Sequence, residues 1–135
     1  MALRKFRLLA LAVLLVVLCR PAAADDPVII TNPSLTLAAD EVRDVYLGDK
    51  QMAGNVRLVP VDNASVQARF LAQVIKFDAA KYATTWTKKA FRDGLTAPPV
   101  KATDAEVIEF VKRTPGAVGY VGSAPGGGVN MVTLK

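Results

Sequence analysis

Thr103-Asp104-Ala105-Glu106-Val107-Ile108-Glu109-Phe110-Val111-Lys112-Arg113-Thr114-Pro115-Gly116-Ala117-Val118-Gly119-Tyr120-Val121 is the stretch on which the fold turns. Thr103 and Glu106 make the T-x-x-E pattern of a capping box, in which each side chain satisfies a backbone N–H that the first helical turn leaves unpaired. Val107, Ile108 and Val111 then form one apolar face, while Glu106, Glu109, Lys112 and Arg113 face water. Pro115-Gly116 cannot continue the helix. Ala117-Val118-Gly119-Tyr120-Val121 follows at once and reads as a strand.

Downstream, Pro125-Gly126-Gly127-Gly128 reads as a turn into a last strand over residues 129–134. Upstream, residues 94–101 contain Pro98-Pro99 and read as loop. A helix beginning at Asp78 precedes them, with Tyr82, Trp86 and Ala90 stacked one turn apart and Phe91 beside them, a spacing that predicts core packing. Before it, Val66, Phe70 and Val74 with Leu71 and Ile75 form a helical stripe, entered through the capping residues Asp62-Asn63-Ala64-Ser65. Residues 55–61 suggest a strand, and residues 37–47 an amphipathic helix with Val42, Val45 and Tyr46 inward and Gly48 as C-cap. Val28-Ile29-Ile30 is a short buried strand ended by Asn32-Pro33-Ser34. The order β-α-β-α-α-α-β-β predicts an α/β fold: a mainly parallel sheet flanked by helices, with an antiparallel edge pair at the C-terminus.

The N-terminus sets the expected address. Arg4, Lys5 and Arg7 precede an unbroken apolar run over residues 8–18, and Ala22-Ala23-Ala24 offers small residues before Asp25. That order describes a cleavable signal peptide over residues 1–24, which predicts a periplasmic protein with one domain over residues 25–135. The apolar run is about half the roughly 20 residues a membrane-spanning helix needs. Cys19 raises lipid modification as an alternative, but Leu18 stands where lipoprotein signals place a small residue. The formal charge of +5 falls to +1 once Arg4, Lys5, Arg7 and Arg20 are removed. The basic character therefore belongs to the leader, and no nucleic-acid partner is indicated. The only cysteine is Cys19 and there is no histidine, so the mature part has no disulfide and lacks thiol and imidazole chemistry. No cofactor and no metal site is expected.

Several segments resemble one family. Val42-Arg43-Asp44-Val45-Tyr46-Leu47-Gly48 resembles the L-x-x-I-F-x-G helix end of phosphate-type substrate-binding proteins of ABC transporters. The run from Val56 to Phe70 resembles their following strand and helix, and Tyr82, Trp86, Phe91, Gly94 and Pro98-Pro99 resemble the Y-W…F-x-G…P-P stretch of small members. Thr114-Pro115-Gly116-Ala117-Val118-Gly119-Tyr120-Val121 is similar to their x-P-G-A-I-G-Y-V segment. The resemblance implies a single lobe of the type 2 periplasmic-binding-protein (PBP-like) fold. Full-length members close two lobes over the anion, and their second lobe contributes an R-x-x-x-S-G-T motif at a helix start. Matching its serine to Ser65 puts Val61 at the arginine, Val66 at the glycine and Gln67 at the threonine. Only the serine is retained, and the loss of the guanidinium removes a bidentate anion contact.

The candidate ligand-binding residues are Asn63 and Ser65 at a helix start, Arg69 one turn on, and Gln67 at the motif's threonine position. The plain alternative for Asn63 and Ser65 is helix capping. Gly126, Gly127 and Gly128 read as a hairpin turn and not as a phosphate cradle, since no helix follows them. Gly116 and Gly119 resemble spaced nucleotide-loop glycines, but the family resemblance implies that they are turn and tight-packing residues. Asp40, Glu41 and Asp44, like Asp104, Glu106 and Glu109, read as solvated acids at helix starts. No nucleophile–base pair can be assembled, so the chain does not read as an enzyme. Two functions remain open. One is a periplasmic substrate-binding-like lobe for phosphate or another small oxyanion or solute. The other is an envelope interaction module that keeps the fold and has lost the ligand. The corresponding partners are an oxyanion such as phosphate, an ABC transporter membrane component or another envelope protein, and a second copy of the chain as a homodimer.

Overall fold

The computed structural model describes residues 26–134; the expected signal peptide over residues 1–24 lies outside them. The chain runs from β1 (Val28–Thr31) through a 3-10 turn at Ala39–Glu41 into α1 (Val42–Tyr46). Four short strands follow, β2 (Met52–Ala53), β3 (Val56–Arg57), β4 (Val59–Pro60) and β5 (Asp62–Asn63). Next come α2 (Gln67–Phe70), continued by a π turn at Leu71–Ile75, and α3 (Ala79–Asp93). The chain ends with β6 (Val100–Lys101), α4 (Asp104–Arg113), β7 (Ala117–Val121) and β8 (Asn130–Val132). The central sheet has the order β4-β7-β1-β8.

The α/β class, with helices flanking the sheet, is the one expected. The strand pairing corrects the expectation in two respects. The central sheet is not mainly parallel: β4 and β7 pair parallel, but β1 pairs antiparallel with both β7 and β8. Nor do β7 and β8 form an edge pair, because β1 lies between them. The reason is visible in β1 itself. Ile29 is buried on one side of the sheet and Ile30 on the other, and a strand covered on both faces and both edges takes the interior of a sheet.

The sheet separates two cores. On one side Tyr46, Phe70, Tyr82, Trp86, Val118 and Tyr120 pack together. There Phe70 stacks on Tyr120 at 3.8 Å between ring centroids, and Tyr46 stands edge-on to both. On the other side Val107 and Val111 of α4 pack on Val61, Ala117 and Val121. All five residues of β7 are buried and alternate between these cores. Gly119 belongs to the α4 side, where a Cβ would stand 2.6 Å from Val107 Cγ1 and 3.0 Å from Val111 Cγ2. Its missing side chain is what lets α4 lie directly on the strand. Gly116, at φ +79°, makes the turn that enters the strand, and a Cβ there would collide with the Arg57 carbonyl. Both glycines thus serve turn and packing, as the family resemblance implied.

The two longest helices obey local chemistry, whereas α2 opens at Val66 with no side-chain cap, so Asn63 and Ser65 do not cap it as expected. Asp78 caps α3 by accepting from Lys81 N at 2.7 Å, and Gly94 ends it in the left-handed conformation. Thr103 caps α4 through Glu106 N, but Glu106 returns its carboxylate to Ala102 N, one residue before the position a standard capping box uses. On α3 the expected inward face holds for Tyr82 and Trp86 only. Ala90 is exposed and Phe91 is 95% exposed. Phe91 follows Tyr82 by about two and a half turns at 3.6 residues per turn, which places it on the opposite side of the helix.

Candidate functional site

The candidate residues Asn63, Ser65, Gln67 and Arg69 lie where β5 delivers the chain to α2. Parallel pairing with β6 fixes β5 through Asp62 N to Pro99 O at 2.8 Å and Ala64 N to Lys101 O at 2.9 Å. Asn63, fully buried, then organises the loop with its side chain. Its Oδ1 accepts from Ser65 N at 3.1 Å and Ser65 Oγ at 2.6 Å, closing a local turn. Its Nδ2 donates to the Tyr120 carbonyl at 2.9 Å and to Asp104 Oδ1 at 2.8 Å.

Asp104 is the first residue of α4, and its carboxylate gathers the donors of this region. Besides Asn63 Nδ2, Gly122 N donates to Oδ2 at 3.0 Å, and Ser65 Oγ lies 3.3 Å from Oδ1. A carboxylate at a helix start is electrostatically favoured in any case. Two of the donors that an external oxyanion would need, an amide and a backbone N–H, are therefore directed at an anion the chain supplies itself, while the Ser65 hydroxyl proton goes to Asn63 Oδ1. An added anion about 4 Å from that carboxylate would be repelled by about 4 kcal/mol at an effective dielectric of ~20.

The other motif positions are closed by packing. Val61, where the family pattern has arginine, is wholly buried in the core beneath α4, within reach of Gly119. Val66, at the glycine position, is buried with its Cγ1 3.0 Å from where a Cβ on Gly122 would stand. Gln67 hydrogen-bonds to Asp62, so it serves the buried network and not the loop surface. Arg69 is half-buried at the third position of α2. The structure thus brings Asn63 and Ser65 together and adds Gly122, which the sequence did not single out, and Asp104, which is not the solvated acid expected but a half-buried one holding Asn63 Nδ2 and Gly122 N. Asp104 lies 41 residues from Asn63, and no local pattern distinguishes it from an ordinary first-turn acid.

A second polar cluster adjoins the first. Asp62 is buried, with Oδ1 accepting from Tyr120 Oη at 2.7 Å and Oδ2 from Tyr82 Oη at 2.8 Å. Burial raises its pKa above the usual carboxylate range, and the hydrogen bonds from Tyr120, Tyr82 and Gln67 offset that rise only in part. The same burial, followed by the charge of Asp62, pushes the Tyr82 and Tyr120 phenols upward. Tyr46 Oη donates to the Val61 and Val118 carbonyls at 2.8 and 3.1 Å. All three tyrosines of the chain therefore converge on the β4–β5 segment and on β7. A shallow cleft of about 370 Å³ lined by Asp62, Gln67, Tyr82, Trp86, Pro98 and Val100 opens beside this cluster. Among the described residues no group of three or more metal-ligating side chains occurs.

Comparison with solved structures places this architecture. PstS from Borrelia burgdorferi superposes with a TM-score of 0.56 at 19% identity, covering 82% of this chain and 47% of that one. An ABC-type phosphate transport receptor from Vibrio cholerae gives a TM-score of 0.50 at 17% identity, covering 82% of this chain and 46% of that one. The chain spans about half the length of these structures and shares their fold. No family model matches the chain, and no curated protein matches it in sequence.

Proposed function

We propose that this chain, which has the fold of about half a phosphate transport receptor, is exported to the periplasm and works there as a protein-interaction module that does not capture phosphate by itself. The observation that supports this reading is the Asp104 carboxylate, to which Asn63 Nδ2 and Gly122 N donate, with the Ser65 hydroxyl engaged by Asn63 Oδ1 beside it. A site built to hold an external oxyanion leaves such donors open and adds positive charge. Here the donors are engaged, the added charge is negative, and Val61 fills the arginine position from within the core. Residues 1–24 serve as the export signal on this reading.

One feature supports a second reading, oxyanion binding with displacement of Asp104. The donors themselves are intact, and Ser65 is exposed. A thermal-shift titration of the exported protein with phosphate and sulfate in low salt separates the two. The interaction reading expects no saturable rise in melting temperature up to millimolar anion. A ligand at 100 times its Kd stabilises the fold by about 2.7 kcal/mol, which the assay detects readily. A saturable rise that disappears in Ser65→Ala refutes the interaction reading and supports the second.

A further inference from the structure

We infer that the outward face of α3 is a docking surface for a partner protein presenting an acidic ridge with an apolar socket for Phe91. This rests on the interaction reading above and adds where the contact is made and with what chemistry. Tyr82 and Trp86 hold α3 to the core. On the opposite side, Ala80, Thr84, Thr87 and Phe91 follow one another along the helix, all exposed. A solvated helix face is normally charged, with acids and bases paired one turn apart. This line carries no charge. Thr87 also uses its hydroxyl on its own helix, donating to the Ala83 carbonyl at 2.9 Å. Small side chains allow another backbone to approach closely. A nearly fully exposed phenylalanine at the end of the line is the kind of aromatic anchor that carries binding energy at interfaces.

The charge beside this line sets the partner. Lys81, Lys88 and Arg92 recur along one margin, all exposed, and no acid stands anywhere between Ala79 and Arg92. The groups facing them are few. Lys81 Nζ lies 4.2 Å from the centre of the Phe77 ring, and Arg92 pairs with Asp93 at 3.2 Å in an exposed contact of small net worth. Lys89, on the core side, is held by Asp49 and the Leu47 carbonyl. A second copy would set the cations of α3 against the same cations, so the complementary surface is acidic. A lipid surface fits less well. Helices that lie in a membrane interface present a broad apolar face, and here Phe91 is the single large apolar side chain on the line.

The test is photocrosslinking in the intact cell envelope, using the full chain with a photoreactive residue at Thr84 and, as a control, at Glu109 on α4. The expected result is an adduct at Thr84 whose partner peptide is acidic. Its yield should fall about tenfold or more in Phe91→Ser and also fall in Lys88→Glu. Phe91 and Lys88 are exposed, so both variants should keep the parent melting temperature. An adduct at Glu109 but not at Thr84 overturns this surface and leaves the interaction reading standing; adducts at neither position overturn both. Cosedimentation with vesicles of phosphatidylethanolamine and phosphatidylglycerol covers the remaining class. Vesicle binding that depends on Lys88 and Phe91 overturns the protein partner in favour of a membrane.

Discussion

Asp62→Asn should alter the pH dependence of folding in a direction opposite to that of most carboxylates. Asp62 is buried against Tyr82, Tyr120 and Gln67, and its pKa in the fold lies above the ordinary value of 3.8. The folded protein therefore holds this proton more tightly than the unfolded chain does. The stabilisation from that proton is fully present below the unfolded value and is lost as pH rises through the folded one. Asparagine has no such proton to lose. Its Oδ1 still accepts from Tyr120, and its amide can donate to the Tyr82 oxygen, since a phenol both donates and accepts. Replacing charged by neutral hydrogen bonds costs about 1 kcal/mol each. Removing a buried charge recovers a desolvation penalty of several kcal/mol, and the upward shift of Asp62 indicates that this penalty is the larger effect.

The expected result is a stability difference, variant minus parent, that climbs with pH from about pH 4 by at most about 1.4 kcal/mol per unit and then levels. At pH 7 the variant should be at least as stable as the parent. Asp62→Leu, by contrast, leaves the Tyr82 and Tyr120 hydroxyls and the Gln67 amide without their acceptor. At about 1–3 kcal/mol per orphaned group, that change threatens the whole stability of a domain worth about 5–15 kcal/mol. Urea unfolding of parent and variants between pH 4 and 8 measures these quantities. A difference that does not vary with pH, or an Asp62→Asn protein about 2 kcal/mol or more below the parent at pH 7, would refute the reasoning.

Two further substitutions test the packing. Gly119→Ala forces a methyl against Val107 and Val111 and should cost about 1–3 kcal/mol in chemical denaturation; a neutral result would mean that α4 can lift from β7 freely. Tyr46→Phe removes the hydroxyl bridging the Val61 and Val118 carbonyls. It should cost about 1 kcal/mol, with amide exchange quickened at Val61, whose N–H bonds to Val118 O; unchanged exchange there would show that the bridge does not hold β4 to β7.

Much of the fold was legible in the chain because it depends on local rules. The cap at Thr103, the apolar spacing of Val107 and Val111, and the turn at Gly116 specify α4 and β7 from neighbouring residues alone. Helical spacing likewise placed Tyr82 and Trp86 inside. The same reasoning failed at Phe91, where an aromatic residue near an inward stripe was assigned to the core although its position lies on the far side of α3. The candidate site divided in the same way. Asn63 and Ser65 stood out as capping residues two positions apart, and the structure joins them by hydrogen bonds. Asp104 and Gly122 carried no local mark.

The sequence by itself determined the α/β class, the succession of its helices and the residues that cap α3 and α4, because caps, turns and periodicity act over a few residues. Only the tertiary structure decided that β1 lies between β7 and β8, since strand partners are chosen by burial across the sheet and not by adjacency in the chain. Only the tertiary structure brought the Asp104 carboxylate to Asn63 and Ser65. An anion site is a convergence of distant donors, and whether those donors remain open or are used internally depends on how the elements pack.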